Sequence, residues 1–133
     1  KKGGGVFLND TPIKVSTITD LKDASVFLHA GRKPELWDWG GTSYTKLLTH
    51  AKKTNNYGGS ALDACFVAAG RIEANIYGRL TTMDIASAIG ILLEAGGRVV
   101  NEKGEQIAYS TEPQKVVMTN SEEIERSLLK LLF

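Results

Sequence analysis

Two observations predict an α/β fold for this 133-residue chain. Short apolar runs of strand character, at 6–8, 25–30, 72–77 and 116–118, alternate with stretches whose apolar residues recur at helical spacing. Glycine, proline or asparagine punctuates the changes between them. A length of 133 residues fits one domain, 1–133, and neither a repeat nor a low-complexity segment divides it.

The elements follow in order. Val6-Phe7-Leu8 reads as a strand ending in an Asn9-Asp10 turn, and residues 13–16 as a second strand after Pro12. Residues 25–30 form a third, closed by Gly31 and Pro34. Tyr44, Leu47, Leu48 and Ala51 fall at i, i+3, i+4 and i+7, which predicts a helix in the second part of 35–53. Gly40-Gly41 argues against helix in the first part. Asn55, Asn56, Gly58 and Gly59 read as a loop. Ser60 then opens a helix as its cap, with Asp63 three residues on completing an approximate capping box, and Leu62, Cys65, Phe66 and Ala69 on one face. A strand over 72–77 leads to a helix capped by Thr82, whose inner face is Ile85, Ala88, Ile89 and Leu92. Gly96-Gly97 stops it. A strand at 98–100, a turn at 102–105 and a strand at 116–118 precede a last helix opened by Ser121, with Ile124, Leu128 and Leu131 aligned.

Composition excludes several classes of function. A net charge of +1 offers no basic footprint for nucleic acid or an anionic membrane. No apolar run approaches about 18 residues, and the amino terminus has no signal-peptide pattern. The single cysteine, Cys65, has no partner for an intrachain disulfide, so a reducing, cytoplasmic setting is expected. It lies on an apolar helix face and reads as core. Gly3-Gly4-Gly5 lacks the Gly-Lys-Ser/Thr and the helix that a phosphate loop needs. His29 and His50 stand too far apart in sequence to suggest a metal pair or a catalytic dyad. Trp37 and Trp39 read as surface-loop packing.

Two helix starts carry the candidate chemistry. Gly58-Gly59-Ser60 leaves backbone N–H groups bare at a helix start, and glycine permits close approach by an anion or a hydroxyl. Asp84 lies in a first helical turn. The helix dipole alone favours it there, and its carboxylate is also the hard oxygen donor that magnesium takes.

The surrounding motifs resemble the carboxy-terminal half of the inositol monophosphatase family. They are Gly58-Gly59-Ser60-Ala61-Leu62 followed by Cys65-Phe66-Val67-Ala68-Ala69-Gly70, then Met83-Asp84-Ile85-Ala86, and Glu94-Ala95-Gly96-Gly97. Gly3-Gly4-Gly5 with Phe7-Leu8-Asn9-Asp10 is similar to the family's glycine turn and strand. The resemblance implies a mixed sheet flanked by helices, one half of a layered αβαβα sugar-phosphatase fold. It implies a Mg2+-dependent phosphomonoesterase in which Asp84 is metal ligand and catalytic residue, and Gly58, Gly59 and Ser60 touch the sugar or inositol ring. Tyr77 occupies the position where inositol-selective members have a glutamate that binds ring hydroxyls, so it is a substrate-side residue with relaxed selectivity. Met83 replaces an aromatic residue, and Asn55 stands where many members have arginine. These departures are most similar to the archaeal branch that hydrolyses both fructose 1,6-bisphosphate and inositol phosphates.

The resemblance also implies what is absent. The Asp-Pro-Ile-Asp-Gly-Thr-type motif that supplies most of the family's metal ligands does not occur in the chain. A start at Lys1-Lys2 rather than methionine fits a fragment. The expectation is therefore a chain that lacks the metal-binding amino-terminal half, is inactive alone, and has that half and a second copy of itself as partners. A non-catalytic binding or scaffolding domain that keeps the fold remains the alternative.

Overall fold

The computed structural model describes residues 3–133; Lys1 and Lys2, on which the reading of the chain start rests, lie outside them. Strands β1 (Val6–Leu8) and β2 (Thr11–Ile13) form an antiparallel hairpin of their own. Its two turn residues, Asn9 and Asp10, both have positive φ (49° and 63°). Two such residues make the twist of the turn match that of the strands, and Asn and Asp tolerate this better than most side chains. The second strand thus begins at Thr11 and includes Pro12, earlier than the expected 13–16. Proline is accommodated because β2 has no neighbour on its other side.

The remaining strands form one five-stranded mixed sheet in the order β4-β3-β5-β7-β6. Here β3 is Ser25–His29, β4 Lys53–Asn55, β5 Ala74–Leu80, β6 Arg98–Val100 and β7 Gln114–Thr119. β3 runs parallel to both β4 and β5, while β7 runs antiparallel to β5 and β6. Helices cover both faces. Helices α2 (Ser60–Ala68) and α3 (Ala86–Glu94) pack on one, where Phe27, Tyr77, Val116 and Met118 point. Helices α1 (Trp37–His50) and α4 (Glu122–Leu132) pack on the other, against Val26, Leu28, Ile76 and Val117. Alternation of side chains along each strand feeds both cores at once. The fold is the expected mixed α/β sheet flanked by helices.

Several local expectations are corrected. Helix α1 starts at Trp37 and runs through Gly40-Gly41. Gly40 is there for contact: a Cβ at that position would lie 2.2 Å from the Ala30 Cβ. The buried stripe of α1 is accordingly Gly40, Ser43 and Leu47, and Leu48 is exposed. Asn55 belongs to β4 rather than to a loop, paired in register with Phe27. Helix α2 is capped at Gly59 without a side-chain hydrogen bond, so Ser60 is its first residue and no capping box forms. Its inward face is Asp63, Ala64, Val67 and Ala68, and Leu62 is exposed. Thr82 is not the cap of α3; it lies inside a 3-10 turn, Thr82–Ile85, that precedes the helix. The strand expected over 72–77 is Ala74–Leu80, and the last helix buries Leu132 with Ile124 and Leu128 in place of the expected Leu131. The Ile85, Ala88, Ile89 and Leu92 face of the third helix matches, as does the Ser121 cap, whose Oγ accepts from the Ile124 N–H at 3.3 Å.

Candidate active site

Sheet direction brings the candidate residues to one edge. Because β4, β3 and β5 are mutually parallel, the segments leaving their carboxyl ends emerge on the same side. Gly58-Gly59-Ser60 follows β4, and Asp84 follows β5. The connection from β3 to β4 passes through α1 on one face, and that from β4 to β5 through α2 on the other. The chain therefore diverges around β3, which is the kind of switch point where α/β sheets open a crevice.

Each candidate is held differently. Gly58 has a positive φ of 86° and open space where a Cβ would stand. The first-turn N–H groups of α2, at Ser60, Ala61 and Leu62, have no acceptor within the helix by its geometry, whereas the Asp63 N–H reaches the Gly59 carbonyl at 2.7 Å. Asp84 is exposed on the 3-10 turn, with its own N–H on the Thr81 carbonyl. That turn is strapped down by Thr82. Its hydroxyl donates to the Ala108 carbonyl and accepts from the Ser110 N–H, both at 2.9 Å, and the Met83 N–H meets the Ser110 carbonyl at 3.1 Å. A concavity of about 780 Å³ lies elsewhere, between the hairpin and α3, beside Phe7, Ile91 and Tyr109.

Tyr77 points into the sheet–α2 interface and is 7% exposed. Its hydroxyl donates to Asp63 Oδ2 at 2.9 Å. His29, beside it on β3, stacks on the Tyr77 ring with centroids 4.4 Å apart and planes 6° from parallel. The His29 Nε2 also lies 2.9 Å from Asp63 Oδ2, although the N–H is not aligned as a hydrogen bond. Burial raises the Tyr77 phenol well above its ordinary range. Burial likewise holds the His29 imidazole below its ordinary value, against the opposing pull of Asp63. His29 is thus no isolated histidine; the fold supplies partners that sequence distance conceals. For Asp63 the sequence suggests only a place in a capping box. For His29 the signal is available, since strand alternation places it on the inward face two residues after Phe27; Asp63 shares the helical face of Ala64 and Val67, which differs from the face expected for α2.

The other flagged residues have structural duties. His50 Nδ1 is 2.8 Å from the Lys46 carbonyl on the exposed side of α1. Cys65 is half-buried, and burial pushes its thiol pKa up. Trp39 lies in α1, not a loop, stacked on Phe133 at 5.6 Å with its indole N–H on the Leu132 carbonyl.

The model of the inositol monophosphatase family matches residues 1–132. The chain belongs to that family. It is 30% identical to the fructose-1,6-bisphosphatase of Pyrococcus furiosus, over 98% of the chain and 49% of the relative. It is 27% identical to the fructose-1,6-bisphosphatase/inositol-1-monophosphatase of Methanocaldococcus jannaschii, over 98% and 50%. The extragenic suppressor protein suhB of Bartonella henselae superposes with a TM-score of 0.87 at 26% identity, covering 99% of this chain and 50% of that one. The chain spans about half the length of the curated relatives it matches. The archaeal relatives agree with the branch its departures suggested.

Proposed function

We propose that the complete protein hydrolyses phosphate monoesters of sugars or polyols with Mg2+, and that this chain supplies the sugar side and one metal ligand. The observation that carries this reading is the shared edge of β4, β3 and β5, from which both the Gly58–Ser60 turn and Asp84 depart, in a chain of this family. Asp84 suits a hard cation: its carboxylate is exposed and no described residue hydrogen-bonds to it. Among the described residues no three of His, Cys, Asp or Glu converge to hold a metal, so the other ligands are assigned to the rest of the protein. Bound there, Mg2+ would polarise the phosphoryl group and lower the pKa of a water. The bare N–H groups at the start of α2 would receive substrate oxygens, and Gly58 would let them approach. Tyr77 would form part of the wall behind the ring. Its hydroxyl proton is committed to Asp63, so any substrate hydroxyl meeting its oxygen must donate. A homodimer in the cytoplasm completes the proposal.

The test is phosphate release by the complete protein, with and without Mg2+, for the wild type and Asp84→Asn. Activity should require the metal and fall by about 100-fold or more in the variant, since a lost ligand removes the cation from the reaction. The unfolding free energy should change by no more than about 0.3–1 kcal/mol, the worth of a charge at a helix start. Near-normal turnover in Asp84→Asn overturns the ligand assignment, and metal-independent inactivity of the wild type favours the binding-domain alternative.

A further inference from the structure

The Gly58–Ser60 turn is held on both sides. After it, Asp63, three residues beyond Ser60, brings Oδ2 to within 2.9 Å of His29 Nε2. Before it, Tyr57 stacks on Phe27 with centroids 5.6 Å apart, and the Asn56 side chain acts on the His29 imidazole to favour its charged form. The imidazole cannot shift to follow Asp63 or Asn56, because it stacks on Tyr77, whose hydroxyl is itself tied to Asp63. His29 and Asp63 are 7% and 0% exposed. A buried polar pair of this kind is not explained by stability, since apolar side chains of similar volume serve a core as well or better. Among the described residues the Asp63 Oδ1 is left buried without a hydrogen-bond partner, a penalty that hydrophobic packing would avoid.

We infer that His29 and Asp63 are positioning residues that fix the Gly58–Ser60 turn, and with it the hydroxyl-binding side of the site. This rests on the reading of that turn as substrate-contacting. The inference extends to specificity. A turn clamped at both ends recognises a polyol by the spacing of its hydroxyls, whereas a phosphate ester without hydroxyls gains little from the clamp. Loss of His29 should therefore weaken binding of polyol phosphates more than it weakens hydrolysis of a featureless ester.

The experiment compares wild type, His29→Phe and His29→Gln in the complete protein. Phenylalanine keeps a ring against Tyr77 and removes the polar hold; glutamine restores a donor near the Nε2 position. KM and kcat are measured for inositol 1-phosphate, fructose 1,6-bisphosphate and p-nitrophenyl phosphate, and amide hydrogen exchange is followed at residues 58–60. For His29→Phe the KM for the two polyol phosphates should rise about tenfold, the effect of misplacing one or two hydrogen bonds, with kcat within about threefold. The rise for p-nitrophenyl phosphate should be several-fold smaller, and His29→Gln should recover most of the difference. Exchange at 58–60 should accelerate selectively in His29→Phe. Equal losses on all three esters, or a KM rise that glutamine does not reverse, would overturn the specificity claim. Unchanged exchange at 58–60 would overturn the positioning claim whatever the kinetics. Faster exchange in a protein that hydrolyses none of the esters would uphold the clamp and refute the phosphatase reading, so the two failures are separable.

Discussion

Gly40 and Gly41 allow a controlled test of how α1 is seated. They are consecutive residues of one helix, so alanine gains the same intrinsic helix propensity at either, about 0.8–1 kcal/mol over glycine. Their surroundings differ completely. At Gly41 a Cβ meets nothing within 4 Å, so Gly41→Ala should stabilise the protein by close to the full propensity gain. At Gly40 a Cβ would stand 2.2 Å from the Ala30 Cβ and 3.5 Å from its Cα. Real Cβ atoms essentially never come within 3.0 Å, and Ala30 has no flexible end to swing away. Helix α1 and the chain just after β3 must part, and overpacking of this kind costs about 1–3 kcal/mol, occasionally more. The shared propensity gain cancels between the two variants, so Gly40→Ala should be less stable than Gly41→Ala by the overpacking cost itself, about 1–3 kcal/mol. Urea unfolding of the complete protein measures it. If both alanines change stability by similar amounts, α1 does not rest on Ala30 through Gly40.

Two further outcomes are expected. Because burial holds His29 below its ordinary pKa, the unfolded chain binds the extra proton first, and stability should fall as pH drops below about 6.5. Unfolding midpoints from pH 7.5 to 5.5 should show that slope in the wild type and a shallower one in His29→Phe; identical slopes would refute it. In the complete protein, kcat/KM for fructose 1,6-bisphosphate should be at least that for inositol 1-phosphate, because Tyr77 offers one acceptor atom where a carboxylate offers two. A hundredfold preference for inositol 1-phosphate, about 2.7 kcal/mol, would place its selectivity in another residue.

The fold class and most elements were legible because the code for them is local. The inner face of α3, the Ser121 cap and the hairpin turn each depend on residues a few positions apart. The failures share a cause, which is that a distant partner decided the matter. Gly40 is helical because Ala30 lies across from it, and α2 turns its Asp63 face inward because His29 and Tyr77 wait on the sheet. Thr82 looked like a cap because threonine commonly is one, but its hydroxyl serves the 108–110 segment, 26 and 28 residues away. The Gly58–Ser60 turn and Asp84 could be found from sequence since both mark helix starts. His29 and Asp63 are 34 positions apart, and only the parallel pairing of β3 with β5 under α2 unites them.

That pairing also explains why an aspartate could be recruited from a helix interior. On the α2 side of the sheet, β3 and β5 present Phe27 and His29 in register with Asn75 and Tyr77. Three of these four are polar, and a purely apolar helix over this strip would leave the Tyr77 hydroxyl without the acceptor that Asp63 provides. Alanines at 64 and 68 let α2 lie close, and Asp63 then reaches two of the polar partners at once. The same closeness fixes the amino-terminal turn of α2 at the carboxyl edge of the sheet. In the proposed site, the groups that depart from that edge include the N–H groups at the start of α2 and the carboxylate of Asp84. A phosphate dianion needs compensating positive charge, and Asp84 could hold a cation that would provide it. In the proposed enzyme the remaining cation ligands must come from the other half of the protein. The clamp on Gly58–Ser60 would then set where the sugar lies relative to a metal that the two halves hold jointly.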